Sequence, residues 1–278
     1  MKFGIHSGLW MTRWTDDLDP IMSTVADLGF DGIEISLLGI TMERAASLNR
    51  MARDRGLEIT CSTGLGAHED PTSRDADTRR KAKAALENAV RITSALGARQ
   101  LAGVLAAPWG VFEPLEIPDR TGRSAEVLGS IDTLLEAEGV VLGLEVLNRF
   151  ETDLINTAQQ GVALAKATGS KHIGLLLDTF HMNIEEKDPP AAINQADDRL
   201  FHFHVSDNDR GTPGSGQFDF ASAAQALRTI GYSGWVTAEM FVVPGHPASA
   251  DLNIWRAIEP DPTQAARQAL EYMKATFA

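Results

Sequence analysis

LLLDTFHMNIEE, at residues 175–186, joins a run of leucines to a cluster of polar side chains. The leucines indicate a buried strand, of the kind found in parallel sheets covered by helices. Asp178 follows them directly, and His181 comes three residues later. An ionised carboxylate at the end of a buried strand needs a partner, because an isolated buried charge is costly. The segment therefore predicts a buried strand with a polar site at its carboxyl end.

Strand-like runs recur along the rest of the chain. We predict strands near residues 2–6, 32–36, 58–63, 99–105, 140–147, 173–178, 200–206 and 235–240. Segments with the apolar spacing of amphipathic helices lie between these runs, and Gly29, Gly97 and Gly231 follow three of them. The alternation of strands with helices indicates a parallel sheet.

The number of strand–helix units predicts an α/β fold, a closed (β/α)8 TIM barrel that occupies residues 1–278 as a single domain. A doubly wound open sheet is the alternative architecture. It is disfavoured because the sequence has no GxGxxG phosphate loop after the first predicted strand.

The composition limits the classes of partner. The formal net charge of −13 disfavours nucleic acid and anionic membranes, and it suits a cation or a neutral small molecule. The sequence shows no apolar run of membrane-spanning length and no signal peptide, and its single cysteine, Cys61, suits a reducing compartment. We therefore predict a cytoplasmic protein that binds neither a membrane nor a nucleic acid.

Four successive predicted strands end with a potential metal ligand. These residues are Glu145, Asp178, His204 and Glu239, at the fifth to eighth strands. The carboxyl ends of barrel strands meet at one face, where the active sites of TIM barrels lie. One such acid taken alone is more typical of a helix cap or a surface ion pair. Because clustered carboxylates repel one another in a low-dielectric cleft, the group as a whole predicts a bound divalent cation.

The segments around these residues resemble those of the ketose 3-epimerases, a family of xylose-isomerase-like TIM barrels that includes D-tagatose, D-allulose (psicose) and L-ribulose 3-epimerases. The matching segments are LEVLNRFE at 144–151, LDTFHMNIEE at 177–186, HFHVSDNDRG at 202–211 and AEMF at 238–241. GIHSGLW at 4–10 and IWR at 254–256 are also similar. The resemblance therefore covers essentially the whole chain.

The resemblance implies roles for the matching residues. It implies that the four strand-end residues bind one Mn²⁺ per chain, or Mg²⁺ or Co²⁺ in its place. It also implies that Glu151, His181 and Arg210 contact the end of the substrate that bears O1 to O3. Relatives of this kind suggest a homodimer or a homotetramer.

The predicted reaction is epimerisation at C3 of a free small-molecule ketose, such as D-tagatose, D-fructose, D-allulose or L-ribulose, through a cis-enediolate. Glu145 and Glu239 come from strands separated by two others, so they can flank the sugar as acid and base. A metal with four protein ligands keeps about two positions open for substrate oxygens. The preferred ketose is left open.

Residues beyond the strand ends complete the predicted site. We expect Glu151 to hold Glu145, or the O1 and O2 end of the sugar, through a hydrogen-bond chain that includes His181. The alternative for Glu151 is an acid at a helix N-terminus, and the alternative for Arg210 is a surface arginine.

Apolar walls for the C–H faces of a sugar are expected from aromatic side chains. His6, at the end of the first strand, and Trp14 and Trp109, in loops, are the candidates. Glu34, assigned to the end of the second strand, either supports the metal ligands or is simply a paired acid. We expect His202, on the same strand face as His204, to be a buried, hydrogen-bonded residue one layer deeper.

Three other functions remain possible at this point. The runner-up is an aldose–ketose isomerase of the hydroxypyruvate-isomerase type, which would move a proton between C1 and C2 with the same residues. A metal-dependent DNA endonuclease is disfavoured by the acidic charge. A non-catalytic sugar-binding module would not need acids on two faces of its ligand.

Overall fold

Parallel strands close into a barrel in the computed structural model of the protein, which describes residues 1–278 apart from the side chain of Pro114. The strands follow one another around the barrel in chain order, and the last pairs with the first. They are β1 Lys2–His6, β2 Gly32–Ser36, β3 Glu58–Gly64, β4 Gln100–Val104, β5 Val141–Glu145, β6 Ile173–Asp178, β7 Leu200–Val205 and β8 Trp235–Ala238. The predicted (β/α)8 barrel is confirmed, and the open-sheet alternative is wrong.

Helices surround the barrel and connect its strands. They are α1 Asp19–Leu28, α2 Met42–Asp54, α3 Ala76–Ala95, α4 Ile117–Gly129, α5 Asp132–Glu138, α6 Ala158–Ala167, α7 Thr179–Glu185, α8 Pro189–Ala196, α9 Phe220–Thr229, α10 Pro247–Asp251 and α11 Pro262–Phe277. Short 3-10 helices lie at Ser7–Leu9, Pro114–Glu116 and Asp197–Arg199. Among the described residues, none of the helices has both the length and the apolar character needed to cross a bilayer.

Local sequence signals set the helix ends. The side chains of Thr41, Asp75 and Asp219 accept hydrogen bonds from backbone N–H groups in the first turns of α2, α3 and α9. At the other end of α1, Gly29 adopts φ 87°, a left-handed conformation that glycine takes without steric cost. These caps mark where α2, α3 and α9 begin, and Gly29 marks where α1 ends.

The two faces of the strands have different roles. Ile33 and Ile35 of β2 are buried in the hydrophobic core that the helices cover. Glu34, which lies between them, reaches across the barrel interior to His202 of β7, a strand that is not a neighbour of β2. Strand alternation thus sends apolar side chains outward to the helices and delivers polar side chains to the barrel interior.

Candidate active site and metal centre

The four predicted metal ligands lie together at the carboxyl ends of the strands. Glu145 and Asp178 are the last residues of β5 and β6, His204 is the last but one of β7, and Glu239 directly follows β8. One ligand atom from each residue lies within 4.8 Å of the others, and all four side chains are buried. Three carboxylates and one imidazole therefore converge on a single point.

This group fits a divalent cation on two grounds. Nδ1 of His204 is fully buried and has no hydrogen-bond partner among the described residues, although Oε1 of Glu239 lies 3.4 Å away. The three carboxylates also concentrate negative charge where water cannot screen it. Imidazole and carboxylate are ligands that divalent ions such as Mn²⁺ accept. These residues could hold a metal ion.

Burial and neighbouring charges shift the pKa values of these residues. Burial raises the pKa of Asp178 to about 6, against the opposing effect of Arg210. Burial also disfavours the ionised form of Glu239, but the proximity of His204 outweighs it and holds the pKa of Glu239 well below its usual range. For His204, burial lowers the pKa, and the carboxylates Glu34 and Glu239 overcome this and raise it well above its ordinary value.

Arg210 is buried inside this acidic group. Its Nη1 donates hydrogen bonds to Oδ2 of Asp178 at 2.8 Å and to Oε2 of Glu239 at 2.6 Å. The guanidinium also stacks on Phe180, with 4.2 Å between its central carbon and the ring centroid. The alternative of a surface arginine is therefore wrong, because only 5% of Arg210 is exposed.

Hydrogen bonds to a buried carboxylate stabilise the loop that carries Arg210. The buried carboxylate of Asp207 accepts hydrogen bonds from the backbone N–H groups of Gly214, Gly216 and Gln217, at 2.7–2.9 Å. Arg210 itself has φ 68°, an uncommon value for a residue with a side chain. The turn fixes this conformation, since the backbone N–H of Arg210 donates to the carbonyl of Asp207 at 3.0 Å.

A chain of contacts runs from Glu151 through Asn148 and His181 to Glu145. The side-chain amide of Asn148 donates to Oε1 of Glu151 at 2.9 Å, and its backbone N–H donates to Nδ1 of His181 at 3.2 Å. Nδ1 of His181 is therefore an acceptor, and Nε2 lies 3.4 Å from Oε1 of Glu145 and 3.1 Å from Nη2 of Arg210, which can only donate. Nε1 of Trp109 donates to the other oxygen of Glu151 at 3.0 Å.

A cavity of about 480 Å³ opens above these residues. Glu145, Glu239 and Arg210 lie at its base, and Trp14 and Trp109 form part of its wall. Trp14 is fixed by a hydrogen bond of 2.9 Å from Nε1 to Asp251, a residue of α10. The wall is therefore held from more than one part of the chain.

His6 also lines the cavity, at the end of β1. Its Nδ1 accepts a hydrogen bond from the backbone of Gly8 at 3.1 Å, so its Nε2–H donates to the hydroxyl of Ser62 at 3.0 Å. Burial lowers the pKa of His6, although Glu239 and Glu34 oppose this shift. The imidazole is thus kept neutral with a defined tautomer.

Comparison with known proteins identifies the family. A model of the xylose isomerase-like TIM barrel family matches residues 22–276. A D-psicose 3-epimerase of Enterocloster bolteae is 33% identical, over 100% of this chain and 96% of that protein. An L-ribulose 3-epimerase of Mesorhizobium japonicum is 35% identical, over 98% of this chain and 93% of its own. The chain belongs to the ketose 3-epimerases.

Solved structures agree with this assignment. The crystal structure of a D-psicose 3-epimerase with D-tagatose from Clostridium cellulolyticum has a TM-score of 0.95 at 33% identity, and the match covers 100% of this chain and 99% of that one. As a ketose 3-epimerase, the protein is an isomerase. The endonuclease and sugar-binding alternatives are therefore rejected, and the resemblance found in the sequence is confirmed.

Some residues of this ketose 3-epimerase site were not predicted from the sequence. Asn148 connects two predicted residues, and Phe241 lines the cavity with its ring centroid 5.6 Å from that of His6. Both residues fall inside the matching segments, NRFE and AEMF, which were the available signal. Glu34 was misplaced, since it lies in the middle of β2 and therefore one layer deeper than the strand ends. His202 is buried and hydrogen-bonded to Glu34, as expected.

Proposed function

We propose that this protein epimerises a free ketose at C3, with Glu145 and Glu239 as the two proton-transfer groups. One observation carries the proposal: an oxygen of each glutamate lies in the same 4.8 Å cluster at the base of the cavity, and the two residues come from opposite sides of the strand set β5 to β8. The names of the relatives, D-psicose and L-ribulose 3-epimerases, support this class of substrate.

We assign one divalent ion per chain to Glu145, Asp178, His204 and Glu239, with Mn²⁺ as the preferred ion and Mg²⁺ or Co²⁺ as substitutes. The buried, unpartnered Nδ1 of His204 supports this assignment. When bound, such an ion supplies Lewis-acid stabilisation of negative charge on nearby substrate oxygens. The four side chains fix where this stabilisation acts, at the base of the cavity.

The glutamates perform the proton transfers. The C3 proton of a ketose is acidic because the C2 carbonyl is adjacent, and its removal gives a planar cis-enediolate. One glutamate takes the proton from one face, and the other glutamate delivers a proton to the opposite face. In the reverse reaction the two residues exchange roles. Each carboxylate needs reach to C3 and a suitable protonation state.

Three further side chains orient the substrate in this proposal. The imidazole of His181 and the guanidinium of Arg210 line the cavity beside Glu145 and Glu239, so they can form hydrogen bonds with the oxygens at C1 to C3. Glu151 acts on His181 through Asn148, since it accepts the amide proton that fixes Asn148 in place.

The aromatic side chains supply the walls of the sugar pocket. Trp14, Trp109 and Phe241 offer apolar surface to the C–H groups of the ketose, and His6 offers its ring edge beside Phe241. The cavity of about 480 Å³ has room for the whole of a ketopentose or a ketohexose. We leave the choice between these sugars to experiment.

We also propose that a second copy of the chain covers an aromatic patch next to the site. Phe150 and Trp255 are 74% and 72% exposed, and both line a groove of about 440 Å³ that also includes Arg210 and Glu151. Exposed aromatic residues of this size are typical of protein–protein contacts. A homodimer formed here, or a homotetramer built from it, would cover the patch.

Isotope labelling tests the proposed reaction. The Mn²⁺-loaded protein is incubated in D2O with D-tagatose, D-fructose, D-allulose and L-ribulose, and the products are analysed by NMR. We expect deuterium at C3 and inversion there, because the glutamates exchange with solvent between turnovers. Deuterium at C1 with retention at C3 would contradict the proposal and support the aldose–ketose isomerase.

A further inference from the structure

A buried carboxylate outside the proposed ligand group contacts one of its members. Glu34 of β2 has no exposed surface, and neither do His202 and His204 of β7. Oε2 of Glu34 accepts a hydrogen bond from Nε2 of His202 at 2.6 Å and another from the hydroxyl of Thr60 at 2.8 Å. Oε1 of Glu34 lies 2.8 Å from Nε2 of His204, a close contact between the carboxylate and the ring that lacks the angle of a hydrogen bond. One carboxylate thus lies between two histidine rings.

We propose that Glu34 is a positioning residue that fixes the tautomer and the orientation of His204, with His202 as its brace. The inference rests on the proposed metal site. A neutral imidazole has one N–H donor and one acceptor nitrogen. The anionic Oε1 of Glu34 favours the proton on Nε2 of His204, which leaves the lone pair on Nδ1. Nδ1 is the nitrogen that faces the proposed metal ligands, 3.4 Å from Glu239.

The arrangement also explains why Glu34 is held so firmly. A carboxylate with a single partner can rotate, whereas the bonds from His202 and Thr60 to Oε2 fix the plane of the Glu34 carboxylate. The other oxygen is then directed at His204. Partners of this kind raise the basicity of a metal-ligating histidine and hold its ring in place.

A second metal site is the competing interpretation, since Glu34, His202 and His204 could themselves hold an ion. The distances argue against it. Adjacent ligands of an octahedral ion with bonds of about 2.1 Å lie about 3.0 Å apart. The separation of 2.6 Å between Nε2 of His202 and Oε2 of Glu34 is shorter than this and matches a hydrogen-bond length. Oε2 of Glu34 is also already occupied by Thr60.

The test is Glu34→Gln. An amide keeps one acceptor, which the donors Thr60 and His202 retain, so its NH₂ group faces His204. That contact favours the proton on Nδ1 of His204, which is the wrong tautomer for metal binding. We expect Mn²⁺ affinity, measured by calorimetry, to fall about 10–100-fold. The visible spectrum of the Co²⁺-loaded protein should change as well, because the ligand field reports the imidazole.

Glu58→Gln is the matched control. It makes the same carboxylate-to-amide change at the exposed start of β3, where Glu58 pairs with Lys2, so Mn²⁺ affinity and the Co²⁺ spectrum should stay close to wild type. Thr60→Val removes one of the two bonds that fix the Glu34 carboxylate and should shift both readouts less than Glu34→Gln does. Glu34→Asp provides a second variant in case Glu34→Gln does not fold. It keeps the negative charge but withdraws the carboxylate from His204 by one methylene. Like Glu34→Gln, it should lower the Mn²⁺ affinity and change the Co²⁺ spectrum.

The possible outcomes distinguish a failure of the positioning role of Glu34 from a failure of the proposed metal site on which it rests. Wild-type affinity and an unchanged Co²⁺ spectrum in folded Glu34 variants would overturn the positioning role. Two ions in the wild type and one in Glu34→Gln would overturn it too, because Glu34 would then be a ligand. A wild-type protein that binds no divalent ion would instead refute the proposed metal site itself.

Discussion

Nη1 of Arg210 donates a hydrogen bond of 2.6 Å to Oε2 of Glu239. Both groups are buried, and the same nitrogen also donates to Asp178. Burial opposes the charge on Arg210, but Asp178 and Glu239 outweigh this effect and raise its pKa, so the guanidinium stays charged. Arg210 is therefore a fixed positive charge among the acids proposed to bind the metal and move the proton.

The first prediction concerns Arg210→Ala. We expect kcat/KM to fall about 10–100-fold, because hydrogen bonds to charged groups contribute about 1.5–3 kcal/mol. Metal content should stay near one ion per chain, since removing a positive charge does not weaken the binding of a cation. Steady-state kinetics on the ketose panel and elemental analysis measure the two effects.

Arg55→Ala is the control for this experiment, because Arg55 pairs with Asp19 at the partly exposed helical surface. Its kinetics should match those of the wild type. Unchanged kinetics in Arg210→Ala across all the ketoses would remove Arg210 from the substrate site.

The second prediction concerns Asn148, which is 2% exposed and connects Glu151 to His181. In Asn148→Ala the side-chain contacts to both residues are lost, while the backbone N–H that faces His181 remains. We expect kcat/KM to fall about tenfold, in line with the loss of hydrogen bonds to a charged group, with metal content unchanged. Asn183→Ala, on the same helix as His181, is the control and should behave as wild type. A loss of metal in Asn148→Ala would contradict a role limited to the substrate end.

The strand ends were predictable from the sequence because each depends on local pattern. Asp178 closes β6 where the apolar run predicts, whereas β5 and β8 each end two residues before the predicted ends at 147 and 240. Contacts across the barrel were not predictable in this way. Glu34 and His202 are 168 positions apart, and no periodicity in the chain connects them.

The burial of Arg210 illustrates a second limit of prediction from the sequence. A flexible, polar segment such as DNDRGTPGSG is typical of a surface loop. The loop instead packs around the carboxylate of Asp207 and directs Arg210 inward. Only the assembled strand ends create the acidic group that offsets the cost of burying a guanidinium, so the segment alone does not indicate it.

The third prediction concerns pH and His6. Burial lowers the pKa of folded His6, whereas the unfolded histidine titrates near about 6.5. As the pH falls below about 6.5, the unfolded chain takes up the proton more readily than the folded protein does. The contribution of His6 to the free energy of unfolding is therefore full above about pH 6.5 and is lost as the pH falls. The unfolding free energy of the wild type, relative to His6→Asn, should therefore decrease from about pH 7.5 to about pH 5.5, by at most about 1.4 kcal/mol per pH unit.

Urea denaturation in a chelating buffer measures this difference without a contribution from metal binding. His68→Asn, at an exposed histidine, controls for the loss of an imidazole. If the free energy of unfolding of the wild type, relative to His6→Asn, instead rises as the pH falls, folded His6 prefers the charged form and the prediction is wrong.

The fourth prediction concerns the aromatic patch. We expect Phe150→Ser and Trp255→Ser to shift the protein to smaller species in sedimentation experiments, because burial of such side chains supplies a large part of the energy of an interface. Leu115→Ser is the control, since Leu115 is 96% exposed and lies outside the groove. A monomeric wild type, or variants that assemble like the wild type, would contradict the proposed contact.

The fifth prediction separates the roles of the two glutamates. Glu145→Gln and Glu239→Gln should each lose epimerisation by about 10²–10⁴-fold or more, because each removes one proton-transfer partner. The remaining glutamate can still exchange a C3 proton with solvent. It does so only in the epimer whose C3–H bond points toward that glutamate. In D2O, each variant at saturating Mn²⁺ should therefore label one epimer at C3 with retention, and the two variants should label opposite epimers.

Glu69→Gln is the control for this experiment, because Glu69 lines the same cavity without joining the buried ligand group. It should keep both epimerisation and exchange. Metal content is measured in parallel, because Glu145 and Glu239 are also proposed ligands and a metal-free variant would lose both activities. Equal exchange of both epimers by one metal-loaded variant would require a single base that reaches both faces, and it would contradict the assignment of one glutamate to each face.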